Sequence, residues 1–100
     1  MADLQELTLT TFAEHLQTKF QASVEGSQTV ELEMTSATDA GSGPGQEQFR
    51  ILFRGPRDVF LPQQTYKMEH PRMGTFDLFL VPIKQQPDGF YYEACFARMI

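Results

Sequence analysis

Cys95 and His70 are the one pair in the chain that could act as a thiolate nucleophile and its base. Cys95 stands between Ala94 and Phe96 in an apolar stretch, where a thiol behaves as a small hydrophobe with no charged neighbour to lower its pKa. His70 precedes Pro71 at a turn, a position where an imidazole caps backbone groups. A metal would require several of His15, His70, Cys95 and nearby carboxylates to converge, and none of them has the short spacing that announces zinc. Glu69, Asp77 and Glu93 are the carboxylates available for acid–base work, yet each falls on the polar side of an inferred strand. The run Gly41-Ser42-Gly43-Pro44-Gly45 has the composition of a phosphate cradle, but no helix and no lysine follow it. These residues predict no catalytic group, no metal site and no cofactor: a protein that is not an enzyme.

The elements that would position these groups are short and mostly extended. Thr11-Phe12-Ala13-Glu14 matches a capping box and predicts a short helix near 11–18, with Phe12, Ala13, Leu16 and Phe20 on one stripe. From Phe20 the apolar period changes to two. Phe20, Ala22 and Val24, then Val30, Leu32 and Met34, alternate with polar residues around Glu25-Gly26-Ser27, as in a hairpin with one wet face. Residues 39–47 hold no apolar side chain larger than alanine and predict a flexible loop. Further strands follow at Phe49–Arg54, Thr65–His70, Thr75–Val81 and Phe90–Ala97, separated by Gly55-Pro56, by Pro71 to Gly74 and by Pro87-Asp88-Gly89. The stretch Leu78–Ile83 loses its alternation and predicts a central strand covered on both sides. The pattern is a mainly β fold of about six to seven strands. It would be a small antiparallel barrel or a two-sheet sandwich, with one short N-terminal helix over an end or a face.

A chain of 100 residues builds one core and one domain, spanning 1–100, and nine Phe and three Tyr supply that core without disulfide or metal. A single Cys agrees. The N-terminus lacks the basic and apolar regions of a signal peptide and no segment has transmembrane length, so the expected setting is cytoplasmic, away from membrane. Residues 1–40 carry seven acids against Lys19, and residues 41–100 six acids against seven bases, giving −5 overall. That balance repels phosphate backbones, so nucleic acid is not an expected partner; Arg50 and Arg54 are read as the solvent-facing ends of one strand.

The most distinctive block runs from Leu61-Pro62-Gln63 to Gly74. Pro and Gly there are explained by turn geometry, with Tyr66 and Met68 facing inward. A functional reading makes Gln63, Tyr66, Glu69, His70 and Arg72 a polar rim that grips a protein partner. Taken together, Phe49-x-Ile51-Leu52-Phe53-Arg54-Gly55-Pro56, the stretch from Leu61-Pro62-Gln63 through Thr65-Tyr66-x-Met68-Glu69-His70-Pro71-x-Met73-Gly74 to Leu78-Phe79-Leu80-Val81-Pro82-Ile83, and Tyr92-Glu93-Ala94-x-Phe96 resemble a family of small bacterial domains of unknown function. The resemblance covers nearly the whole chain and transfers no activity; Cys95 stands where that family commonly has an aliphatic residue. Neighbours of the family that resemble phage-tail collar proteins imply a part in assembling a tail-like or surface structure. Two readings result. The first is a non-enzymatic protein-interaction or assembly module, its partner another copy or a neighbour-encoded protein, bound through the rim or an exposed strand edge. The second is a small-molecule-binding β-barrel with an aromatic-lined cavity.

Overall fold

The computed structural model describes residues 9–24, 28–41 and 43–99, with side chains to Ala97. After a helix α1 (Leu9–Ala13) come six strands: β1 (Lys19–Val24), β2 (Gln28–Asp39), β3 (Gln46–Gly55), β4 (Gln64–His70), β5 (Gly74–Gln86) and β6 (Gly89–Met99). They pair antiparallel in the spatial order β1-β2-β3-β6-β5-β4, and β4 closes on β1 through Gln21 with Glu69, Ala22 with Met68 and Ser23 with Lys67. The ring is a closed barrel. Every strand has a neighbour on both sides, so among the described residues no strand stands as an open edge along its whole length. Strands β4, β5 and β6 follow one another by short turns, and the link from β3 to β4 returns across one end of the barrel, making a Greek key.

Period-two alternation decides which side chains fill the barrel. Phe20 and Ala22, Leu32 and Met34, Phe49, Ile51 and Phe53, Tyr66 and Met68, Phe76, Leu78 and Leu80, and Tyr92 and Ala94 are all buried and form one cluster. Rings meet edge to face, with Phe20 5.3 Å from Phe53 at 79° and 6.2 Å from Phe76 at 82°.

Two bulges bend the wall. Thr35 is the extra residue between Met34 and Ser36, where β2 passes from pairing with β1 to pairing with β3. Ile83 is the extra residue between Pro82 and Lys84 of β5, at a proline that has no N–H to give the ladder. The β5–β6 ladder runs from Gln86–Gly89 to Val81–Glu93, and among the described residues it goes no further, leaving a seam between the first half of β5 and the second half of β6.

Two expectations change, the helix bounds and the strand covered on both sides. The helix starts earlier and ends sooner than 11–18, because Gln17 and Thr18 already bond to Met34: Gln17 N–H donates to Met34 O at 2.8 Å, and Met34 N–H to Thr18 O at 3.1 Å. Gln17 takes φ 64°, the left-handed turn that ends the helical segment. Thr11 therefore lies inside α1, and Leu16 and Ala13 are exposed rather than on a buried stripe. The stretch between β2 and β3 is stitched by backbone bonds: Gly43 and Gln46 exchange them at 3.1 and 3.0 Å, Ala40 N–H reaches Gln48 O, and Gly41 N–H reaches Asp39 Oδ1. Strand β5 is covered on one face only; Phe79 and Ile83 point out, 50% and 44% exposed. Glu25-Gly26-Ser27, read as a turn, lies outside the described residues.

Candidate functional site

Each end of the barrel is closed by a segment that is not a strand. At the end where β1 begins and β4 finishes, α1 inserts Phe12, fully buried, against Phe49, Phe76 and Phe96 at centroid distances of 6.0, 6.1 and 5.3 Å. Burial of such a ring is worth about 2–3 kcal/mol. At the opposite end the β3–β4 link inserts Leu61, whose buried N–H donates to Tyr92 Oη at 2.9 Å, while Tyr66 Oη donates to Pro62 O at 2.5 Å. Burial raises the pKa of both tyrosines, so both hydroxyls stay neutral, Tyr66 as donor to Pro62 O and Tyr92 as acceptor from Leu61 N–H. On the same link Phe60, 54% exposed, meets Phe90 edge to face at 5.3 Å.

His70 is the one buried polar side chain of the described core. Its Nδ1 accepts two backbone N–H groups of the β4–β5 turn, from Arg72 at 3.1 Å and Met73 at 3.2 Å. With Nδ1 an acceptor, the ring proton of the neutral form sits on Nε2 and is donated to Thr18 Oγ1 at 2.9 Å; the Thr18 hydroxyl in turn donates to His15 O at 2.5 Å. The ring lies 4.4 Å from Phe20 and 4.8 Å from His15. Burial first, then the charges of His15 and Arg72, push the His70 pKa below its ordinary value. Both nitrogens being engaged, His70 is a structural tie between the turn and the α1–β1 connection. A shallow groove of about 600 Å³ lies over it, lined by Glu14, His15, Thr18, Lys19, Pro71 and Arg72 besides His70 itself.

Cys95 overturns its expected place. It is exposed on the outer face of β6, opposite in direction to the buried Tyr92 and Ala94, and its Sγ–H donates to Glu93 Oε1 at 3.3 Å. Burial, the Glu93 hydrogen bond and the Glu93 charge raise the thiol pKa, with Arg50 opposing them. Among the described residues the partner of Cys95 is Glu93, and both His70 nitrogens are engaged elsewhere, with Thr18, Arg72 and Met73. Glu69 and Asp77 are exposed on the outside of neighbouring strands, and Glu93 pairs with Arg50 at 3.8 Å. No group of three or more His, Cys, Asp and Glu among the described residues is placed to hold a metal ion.

The five residues of the expected rim are divided. Gln63 and Tyr66 stand at the Leu61 end, Tyr66 with its ring buried, whereas His70 and Arg72 meet at the α1 end and Glu69 faces solvent between them. The sequence contained no sign that Thr18 and His15 join His70, because their partnership rests on the β1–β4 closure. The outer-face cluster was equally hidden: Arg54 binds Glu33, and also Asp88 at 3.1 Å, while Asp88 accepts from Tyr91 at 2.9 Å. Arg50 and Arg54 are thus outward and paired with acids rather than part of a basic patch.

Residues 7–96 match the family model described as a domain of unknown function, DUF6916. The chain belongs to that family. No match was found among curated proteins or among solved structures. For this DUF6916 domain the described geometry therefore supplies what can be said of function. Its interior is filled by interlocking rings, and the grooves at its surface are open. One, of about 770 Å³, is lined by Arg57, Asp58, Gln85, Gln86 and Pro87; another, of about 290 Å³, lies among Lys19, Glu31, Glu33, Arg54 and Asp88. No helix of the described residues is long and apolar enough to cross a membrane.

Proposed function

We propose that the chain is a non-enzymatic protein-interaction or assembly module that docks a protein partner on the outer face of β5. One observation carries this reading: Phe79 and Ile83 are 50% and 44% exposed on a strand whose inward side chains are already buried. Val81, half-buried between them, completes an outward row of three apolar residues. Lys67 and Asp77 are paired across β4 and β5 at its border, and Lys84 lies over the Tyr91 ring at 4.8 Å, giving a polar surround to an apolar centre. That arrangement suits a partner with an apolar patch of its own. An assembly role in a tail-like or surface structure is the setting that the sequence resemblance implies for such a module.

The aromatic-lined cavity of the second reading finds little support, because Phe12, Phe20, Phe49, Phe53 and Phe76 occupy the space it would need. The test is light scattering at micromolar concentration, together with recovery of partners from the source cell. A stable oligomer or a co-purified protein is expected, and Phe79→Ser with Ile83→Thr should abolish either while the circular dichroism spectrum is unchanged. A monomer that recovers no partner, or association indifferent to the double substitution, overturns the proposal.

A further inference from the structure

The tie made by His70 has a chemical weakness at its centre. Nδ1 serves as acceptor for two N–H groups, and the proton that an imidazole takes up in mild acid must go to that same nitrogen. Once it is there, three N–H bonds point at one place and the β4–β5 turn loses its anchor. The connection on the other side is no sturdier: Thr18 Oγ1 is held between His70 Nε2 and His15 O, and α1 itself has only five residues. So short a helix does not persist by itself. It stays because Phe12 sits among Phe49, Phe76 and Phe96. Those rings come from β3, β5 and β6, on either side of the seam where the β5–β6 ladder has stopped.

We propose that His70 is a proton-operated latch: neutral, it clasps the α1–β1 connection to the β4–β5 turn; protonated, it lets go, and α1 carries Phe12 out of the barrel end. The groups facing the imidazole favour this. From the α1–β1 side come His15, Glu14 and Lys19, from β1 the uncharged ring of Phe20, and from the turn Arg72. Glu14 is the lone carboxylate among the groove residues, against Arg72 and a second imidazole, while Lys19 is paired with Glu31 at 3.3 Å. A charge on His70 therefore meets more repulsion than attraction while latched, and escapes it when released. The direction of the shift agrees: a His pKa held down in the latched state means that release takes up a proton, so the latched state loses ground as pH falls below the ordinary imidazole range. Release uncovers an apolar cup formed by Phe49, Phe76 and Phe96.

Amide hydrogen exchange of the whole chain, corrected for the intrinsic effect of pH, tests the latch at about pH 7.5 and about pH 5.5. Protection of Phe12–His15 is expected to be lost at the lower pH while that of Ile51 and Phe53 in β3 persists. In His70→Gln the protection of α1 should be the same at both pH values, whether that variant rests latched or open. Should His70→Gln fail to fold, His15→Phe serves instead: it keeps a ring beside His70 without the second charge and should shrink the acid response. No acid response in the natural chain, a response that survives His70→Gln or His15→Phe undiminished, or loss of β3 protection together with α1 would each overturn the proposal.

Discussion

Cys95 shows how a reactive residue type is kept quiet by its surroundings. Its thiol is at the surface, yet partial burial against the strand, and then Glu93, which accepts its hydrogen and holds negative charge beside it, disfavour the thiolate. Alkylation by iodoacetamide should accordingly be slower than for a free thiol at the same pH. Glu93→Gln, which removes the charge and leaves Arg50 nearby, should speed it up. Mass spectrometry of the modified chain against time checks both statements; an unchanged rate in the variant would show that Glu93 has no part in it. His70 is the opposite case, a titratable group turned inward with every polar atom employed.

At the scale of elements, the link between β3 and β4 is held by side chains of the barrel wall. The Tyr92 hydroxyl is the partner of the buried Leu61 N–H, so Tyr92→Phe leaves that donor unmatched and should cost about 1–3 kcal/mol. Urea unfolding of the two proteins measures this, and a change within error would mean that the link does not depend on the bond. Strands were the legible elements. Phe49, Ile51 and Phe53, or Tyr66 and Met68, announce by alternation both their strand and its inward face. The helix was less legible, since its end is decided by a bond from Gln17 to Met34 on another strand. The apolar run Leu78–Ile83 misled for a related reason. Continuous hydrophobicity reads as burial on both sides, whereas here Phe79, Val81 and Ile83 alternate outward while Leu78 and Leu80 point in. As for the candidate site, Gln63 stands just before β4 and His70 at its last position, and that strand runs the length of the barrel and takes them to opposite ends.

The whole molecule depends on contacts between distant parts of the chain. The barrel closes by pairing β1 with β4, and its longest ladder joins β3 to β6, from Gln46 with Met99 to Gly55 with Phe90. Loop closure has to precede both, so refolding should take milliseconds to seconds rather than microseconds. Stopped-flow tyrosine fluorescence can follow this, with Tyr66 and Tyr92 both buried. Completion within microseconds would show that local structure sets the rate.

The unladdered stretch between β5 and β6 also makes the wall mechanically uneven. Around most of its girth the barrel can widen only by breaking backbone bonds, as along the ten pairs from Gln46 to Gly55. Along the stretch beyond Val81 and Glu93, among the described residues, only side chains hold the two strands together. A sideways load would therefore part the molecule there first, like a cuff left unbuttoned, and the remaining five strand pairings would stay whole while it gaped.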